Sequence, residues 1–232
     1  MIPAIIIGVL IITYIVFIQI FLYRDNPKLF NGAIRRYQRL DKSQPPSPGS
    51  IACTGSSVMK YWKTIEKDLS PLPVLNRAIA GIKINELTYW ANELVSRYKP
   101  AAVMVYAGSN DISGRKPRSP EQVLEGFRSF VLKVREHIPA VHVFYISINP
   151  TPANIRWKHW HSIQAANNSI KSFCEVDPQL TFIDVTEEFL NEQTAPRKEY
   201  FRIDKVHLNS EGYKAWTRII KPILDNWIQS IQ

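Results

Sequence analysis

Cysteine is scarce. Only Cys53 and Cys174 occur in 232 residues, so at most one bridge can form and a disulfide-stapled scaffold is excluded. Neither sits in a CxxC or CxxxC pair, which removes the commonest zinc-ligand spacing, and both read as buried thiols. No internal repeat is present, and no G-x-G-x-x-G or Walker pattern follows a candidate strand, which weighs against a flavodoxin-like nucleotide binder. Charge is missing from one end: residues 1–23 carry no charged side chain. Over the whole chain the composition is ordinary, with 45% hydrophobic and 21% charged residues. That excludes wholesale disorder and collagen-like or coiled-coil architectures. At ~100–200 residues per domain, the length suits one core.

The net charge of +9 comes from 29 Lys and Arg against 20 Asp and Glu. Its location decides what it means. Arg24, Lys28, Arg35, Arg36, Arg39 and Lys42 cluster with only Asp25 and Asp41 among them, directly after the uncharged segment. Anionic lipid attracts each such residue by about 1 kcal/mol, so the pattern fits phospholipid headgroups better than nucleic acid. Ile2 to Tyr23 is uncharged and predominantly apolar, with Thr13 and Gln19 tolerable inside a helix, and at ~1.5 Å per residue it matches a bilayer core of ~30 Å. Residues 1–23 are therefore expected to form an uncleaved transmembrane anchor, since a signal peptide would need a positive n-region and a small-residue cleavage site. The protein is accordingly expected to be single-pass. The basic residues beyond the span favour a domain on the cytoplasmic side.

Residues 24–49 form a juxtamembrane unit. Leu29, Phe30, Ala33, Ile34, Tyr37 and Leu40 recur at helical spacing opposite Arg35, Arg36 and Arg39, which predicts a basic amphipathic helix. It could rest on headgroups or dock its apolar stripe on the domain. A Pro-rich spacer, Lys42 to Gly49, marks the boundary of a domain over residues 50–232.

Within that domain short apolar runs alternate with helical stretches. Strands are predicted over 50–54, 74–76, 101–106, 142–148 and 181–184, and helices over 58–67, 84–98, 120–137, 157–174 and 210–231. Five strands separated by helices imply a three-layer α/β/α fold with a five-stranded, parallel, flavodoxin-like sheet. Functional groups should then gather on the loops after the strands' carboxyl ends.

Those loops carry three segments of interest. The first strand ends in Gly55-Ser56-Ser57, where a serine at a helix start suits a nucleophile, although it equally suits an ordinary helix cap. The third ends in Gly108-Ser109-Asn110-Asp111, with an amide able to donate to an oxyanion or to close an Asx-turn. Ahead of the last helix, Asp204 precedes His207 by three residues. That pairing fits a carboxylate orienting an imidazole, or a surface charge pair. His159 and His161 lack a nearby carboxylate or cysteine to complete a metal site, so no metal is expected; Trp157 and Trp160 beside them suit the site's rim or lipid. Asn167 opens a formal glycosylation sequon.

Taken in order, these blocks resemble the SGNH (GDSL-type) hydrolases. Gly55-Ser56-Ser57 stands where the family has Gly-Asp-Ser, and Asn76 to Gly81 resembles its second block. Gly108 to Asp111 matches Gly-x-Asn-Asp, and Asp204 to His207 matches Asp-x-x-His. The resemblance implies Ser57 as nucleophile, His207 as general base and Asp204 as its orienter. It implies an oxyanion hole from the Ser57 and Gly81 N–H groups and the Asn110 amide, without cofactor or metal. Ser56 departs from the usual Asp, and Ala78 from a frequent glycine beside Gly81. The implied activity is hydrolysis of acyl esters, with lysophospholipid a natural substrate for an anchored enzyme. Deacetylation of an envelope polysaccharide is the alternative, and a non-catalytic SGNH-fold binding module lies outside the enzyme class.

Overall fold

The structure, a computed structural model, describes residues 25–114 and 116–231 together with Gly8, Thr13 and Tyr14. Five short apolar runs become Ile51–Gly55 (β1), Val74–Asn76 (β2), Ala102–Tyr106 (β3), His142–Ile146 (β4) and Leu180–Ile183 (β5). All pair in parallel, in the order β2-β1-β3-β4-β5. Parallel neighbours require crossovers, and the helices supplying them cover both faces of the sheet. The period of two along each strand divides the core. Ala52, Val103, Val143 and Tyr145 face one layer, while Cys53, Met104, Phe144 and Ile146 face the other.

The principal helices are Asn31–Ser43 (α1), Ser57–Lys60 (α2), Ile84–Tyr89 (α3), Pro120–Arg135 (α4), Trp160–Glu175 (α5) and Ser210–Ile231 (α6). Leu87, Phe127, Phe130, Ile163 and Ile170 carry α3, α4 and α5 onto the first face. Trp216, Ile220 and Leu224 lay α6 on the second, against Val58 and Met59 of α2. The start of α4 shows how local chemistry sets a boundary. Ser119 and Gln122 form a reciprocal capping box, with Pro120 at the first helical position.

The helices predicted over 58–67, 84–98 and 157–174 are each interrupted. The first breaks between Lys60 and Ile65; there Trp62 turns inward, stacks on Tyr213 at 5.7 Å and donates to Asp68 at 2.6 Å. The second breaks at Trp90, whose indole N–H donates to the Pro27 carbonyl at 2.8 Å. The third divides into Asn154–Trp157 and α5. In the first two, an indole's tertiary contact overrides the local period. Strands β4 and β5 end at Ile146 and Ile183, short of the predicted 148 and 184.

The structure selects between the two placements expected for the basic amphipathic helix. Phe30 and Ile34 are buried in the first core layer. Asp41 pairs with Arg77 and accepts from the Tyr98 hydroxyl at 2.7 Å. Asp25 pairs with Lys83 at 2.8 Å and Arg118 at 3.4 Å. The apolar stripe is thus docked on the domain, while Arg35, Arg36, Arg39 and Lys42 remain exposed. Among the described residues no helix is long and apolar enough to cross a membrane. The span expected over residues 1–23 lies outside them except for Gly8, Thr13 and Tyr14.

Candidate active site

The strand order reverses between β1 and β3, and in open parallel sheets such a switch point opens a crevice at the carboxyl ends of the strands. Ser57 stands there, as the first residue of α2. The turn that delivers it depends on Gly55, at φ +119°, where an added Cβ would lie 2.0 Å from the Tyr106 carbonyl oxygen. That approach lets the Ser56 N–H donate to the same oxygen at 2.9 Å, fixing the end of β1 against β3.

The other half of the site is a hairpin before α6. A bridge between Phe201 and Leu208 closes it, and the Arg202 N–H donates to the His207 carbonyl at 2.8 Å. Inside the turn one carboxylate oxygen of Asp204 accepts from the Val206 and His207 N–H groups, each at 2.9 Å. The other oxygen lies 2.7 Å from His207 Nδ1. His207 Nε2 reaches Ser57 Oγ at 2.8 Å, across 150 residues of sequence. Partial burial pushes the Asp204 carboxyl up, but hydrogen bonds from His207 and Val206 outweigh it and hold it below the usual carboxylate range. An ionised Asp204 accepts from Nδ1, leaving Nε2 free to accept the serine proton. The Tyr61 ring meets the imidazole edge-on at 5.0 Å, and Arg202 lies over Tyr61 at 5.4 Å.

Gly81 lies on the loop after β2. The Arg77 and Ile79 N–H groups donate to Cys53 and Gly55 carbonyls, each at 2.8 Å, extending the β1 pairing beyond β2. Gly81 follows at φ +81°. Asn110 lies in the helical turn Ser109–Ile112 after β3. Its Nδ2 donates to the Ile82 carbonyl at 3.0 Å, and its Oδ1 accepts from Arg156 at 3.0 Å. An amide nitrogen carries two hydrogens, so one remains uncommitted to Ile82. The three-residue chain Ser57, His207 and Asp204 is thus assembled, with Gly81 and Asn110 on adjoining loops.

Two neighbours were not singled out from sequence for this site, Tyr61 and Arg156. Arg156 is buried just beyond the loop after β4, and nothing in the run from Asn154 to His161 marked it out from the neighbouring Lys158, His159 and His161. Asn167 holds that loop by pairing both the N–H and the carbonyl of Ile148, at 2.9 and 3.0 Å. Buried and doubly engaged, Asn167 is unsuited to glycosylation despite its sequon. Trp157 and Trp160 stack on each other at 5.7 Å. Among the described residues no group of three or more His, Cys, Asp or Glu is arranged to hold a metal. Cys53 and Cys174 are free and buried, and burial raises both thiols, Cys174 to about 12.

Comparison with known proteins locates the chain among others. A family model, GDSL-like Lipase/Acylhydrolase family, matches residues 49–215. A GDSL-like lipase from Bacteroides thetaiotaomicron is similar in structure, with a TM-score of 0.71 and 19% identity over 83% of this chain and 97% of that one. A carbohydrate esterase family 3 protein from Talaromyces cellulolyticus gives 0.63 and 17%, over 79% and 99%. An acetyl-xylooligosaccharide esterase from Geobacillus gives 0.62 and 18%, over 75% and 93%. At these identities the likeness is one of fold. No curated protein matches the sequence.

Proposed function

Because this chain belongs to the GDSL-like lipase/acylhydrolase family and is therefore an ester-bond hydrolase, we propose that Ser57, His207 and Asp204 are its catalytic triad and that it works while anchored to a membrane. The observation carrying this reading is the unbroken hydrogen-bonded chain from Asp204 through His207 to Ser57 Oγ. Ser57 Oγ attacks the acyl carbon as His207 Nε2 takes its proton. The imidazolium then returns that proton to the leaving alkoxide, and water, deprotonated by the same nitrogen, releases the acid from the acyl-serine. The Ser57 and Gly81 N–H groups and the free Asn110 amide hydrogen are assigned to the oxyanion.

The membrane reading rests on the uncharged residues 1–23 and on the position of Asp25. Only two residues after Tyr23, Asp25 is already paired with Lys83 and Arg118. An anchor ending there leaves almost no slack, so the domain would lie against the bilayer. That arrangement favours lipid-derived acyl esters such as lysophospholipid. The similarity in fold to acetyl esterases acting on carbohydrate favours a second reading, removal of O-acetyl groups from an envelope polysaccharide.

A fluorophosphonate probe, followed by peptide mapping, tests the nucleophile. Label on the peptide carrying Ser57 is expected, and label confined to another serine overturns the assignment. Rates on acetyl, octanoyl and lysophospholipid esters separate the substrate readings, since the lipid reading requires the lysophospholipid to be preferred.

A further inference from the structure

Arg156 is buried, yet it has no acidic partner within ion-pairing distance among the described residues. Its Nη2 donates to Asn110 Oδ1 at 3.0 Å, and its Nη1 is buried without any hydrogen-bond partner. The neighbouring phenol supplies no counter-charge. Tyr106 is wholly buried, donates to Asn149 Oδ1 at 2.9 Å, and burial holds its hydroxyl protonated to about 12. Asp204 acts on Arg156 only at a distance, with its oxygens turned to His207 and Val206. A buried, uncompensated guanidinium is costly in the resting protein, so its retention needs a reason beyond packing.

The reason lies in what Asn110 does next. A cation hydrogen-bonded to an amide oxygen draws electron density from the nitrogen and makes its N–H a stronger donor. The same contact, with the Ile82 carbonyl on one amide hydrogen, fixes the rotation of the amide and so the direction of the other hydrogen. We propose that Arg156 is a positioning residue for the oxyanion hole. Its guanidinium orients and polarises the Asn110 amide, and its unpaired charge is offset when the acyl oxygen becomes an oxyanion. This rests on the role given to Asn110 above. It places the interaction in the transition state, where it raises kcat and leaves substrate affinity alone.

Two variants separate charge from shape. Arg156→Gln keeps a donor within reach of Asn110 but removes the charge, whereas Arg156→Lys keeps the charge. On one short-chain ester, Arg156→Gln should lower kcat about 10-fold or more with KM unchanged, less than the ~100- to 1,000-fold expected on losing a donor outright. Its Tm should hold or rise, because a buried unpaired charge is gone; Arg156→Lys should recover most of kcat. In an Asn110→Ala background the same Arg156→Gln change should alter kcat by less than about twofold, since groups acting through one another are not additive.

A lower Tm with unchanged kcat per folded molecule, a change confined to KM, or Lys performing no better than Gln would each overturn the inference. So would an undiminished effect of Arg156→Gln in the Asn110→Ala background. If Asn110→Ala alone leaves kcat intact, the oxyanion assignment of Asn110 fails first and the role of Arg156 fails with it.

Discussion

The Tyr37 hydroxyl of α1 donates to the carbonyl of Ala78, 2.5 Å away, on the loop that leads to Gly81. Arg77, next to Ala78, is held by Asp41 of the same helix, and Lys83, two residues past Gly81, by Asp25. The segment from Asp25 to Asp41 therefore grips both ends of a loop assigned to the oxyanion hole. Removing the hydroxyl with Tyr37→Phe leaves the Ala78 carbonyl without its donor, at a cost of about 1–3 kcal/mol. At about 2–4 °C per kcal/mol for a chain of this size, thermal denaturation resolves that loss, and ester kinetics should show kcat falling with the loosened loop. Unchanged Tm and kcat in Tyr37→Phe would mean that the loop holds itself.

Ser56 and Ser57 are adjacent, and only Ser57 meets His207. The Ser56 hydroxyl is buried without a partner. Ser57→Ala should therefore abolish esterase activity, while Ser56→Ala should leave it within a few-fold of wild type. Activity retained by Ser57→Ala would sink the nucleophile assignment.

How much of this was legible in the sequence depended on how local each signal was. Asp204 and His207 are three residues apart in one turn, and Gly55 and Ser57 share one strand-to-helix turn. Each segment alone equally suited a charge pair or a helix cap, and their order along the chain, which resembles the SGNH hydrolases, is what implied their roles. The parallel three-layer architecture follows from alternation and right-handed crossovers, whereas the strand order β2-β1-β3-β4-β5 is seen only in the structure. Arg156 was not legible as part of the site, because its partner Asn110 lies 46 residues away and a lone arginine has no motif. The helix breaks near Trp62 and Trp90 share that cause, since both indoles are held by residues outside their own helical turn. The docking of α1 was undecidable for another reason: an apolar stripe looks the same whether lipid or protein covers it.

Gly55→Ala should be among the most damaging single-methyl additions in the domain. The new Cβ would sit 2.0 Å from the Tyr106 carbonyl oxygen, at a backbone angle that L-residues rarely adopt. Neither strand end is free to retreat, because their N–H and carbonyl groups are paired. A loss of about 3 kcal/mol or more in chemical denaturation is expected. Gly32→Ala is the control: nothing lies within 4 Å of its added Cβ in α1, and it should gain up to about 1 kcal/mol. Equal effects of the two changes would refute the steric account.

Asp111 offers a pH signature. Burial lifts its carboxyl from 3.8 to about 7, against opposing pulls from Arg118, the Ile84 N–H and Lys83. In this window the folded protein binds a proton that the unfolded chain has released, so Asp111 makes stability decline as pH rises from roughly 4 to 7. Asp111→Asn removes the titration while keeping an acceptor for Ile84. Denaturation of both proteins across that range should show the wild type losing ground to Asp111→Asn as pH increases. A difference that stays constant or grows in favour of the wild type would contradict the raised value.

The remaining prediction concerns the side of the membrane. After the expected span come Arg24, Lys28, Arg35, Arg36, Arg39 and Lys42, within the distance over which basic residues orient a segment. With the apolar side of α1 docked on the domain, Arg35, Arg36, Arg39 and Lys42 project outward, where an anionic cytoplasmic leaflet would attract them. We therefore predict that the catalytic domain faces the cytosol. A fluorescent reporter fused after Gln232 should glow, and alkaline phosphatase fused at the same point should be inactive. The reverse pattern would refute the inward orientation and favour the polysaccharide substrate over the lipid one, because only a domain outside the cytosol could reach an envelope glycan.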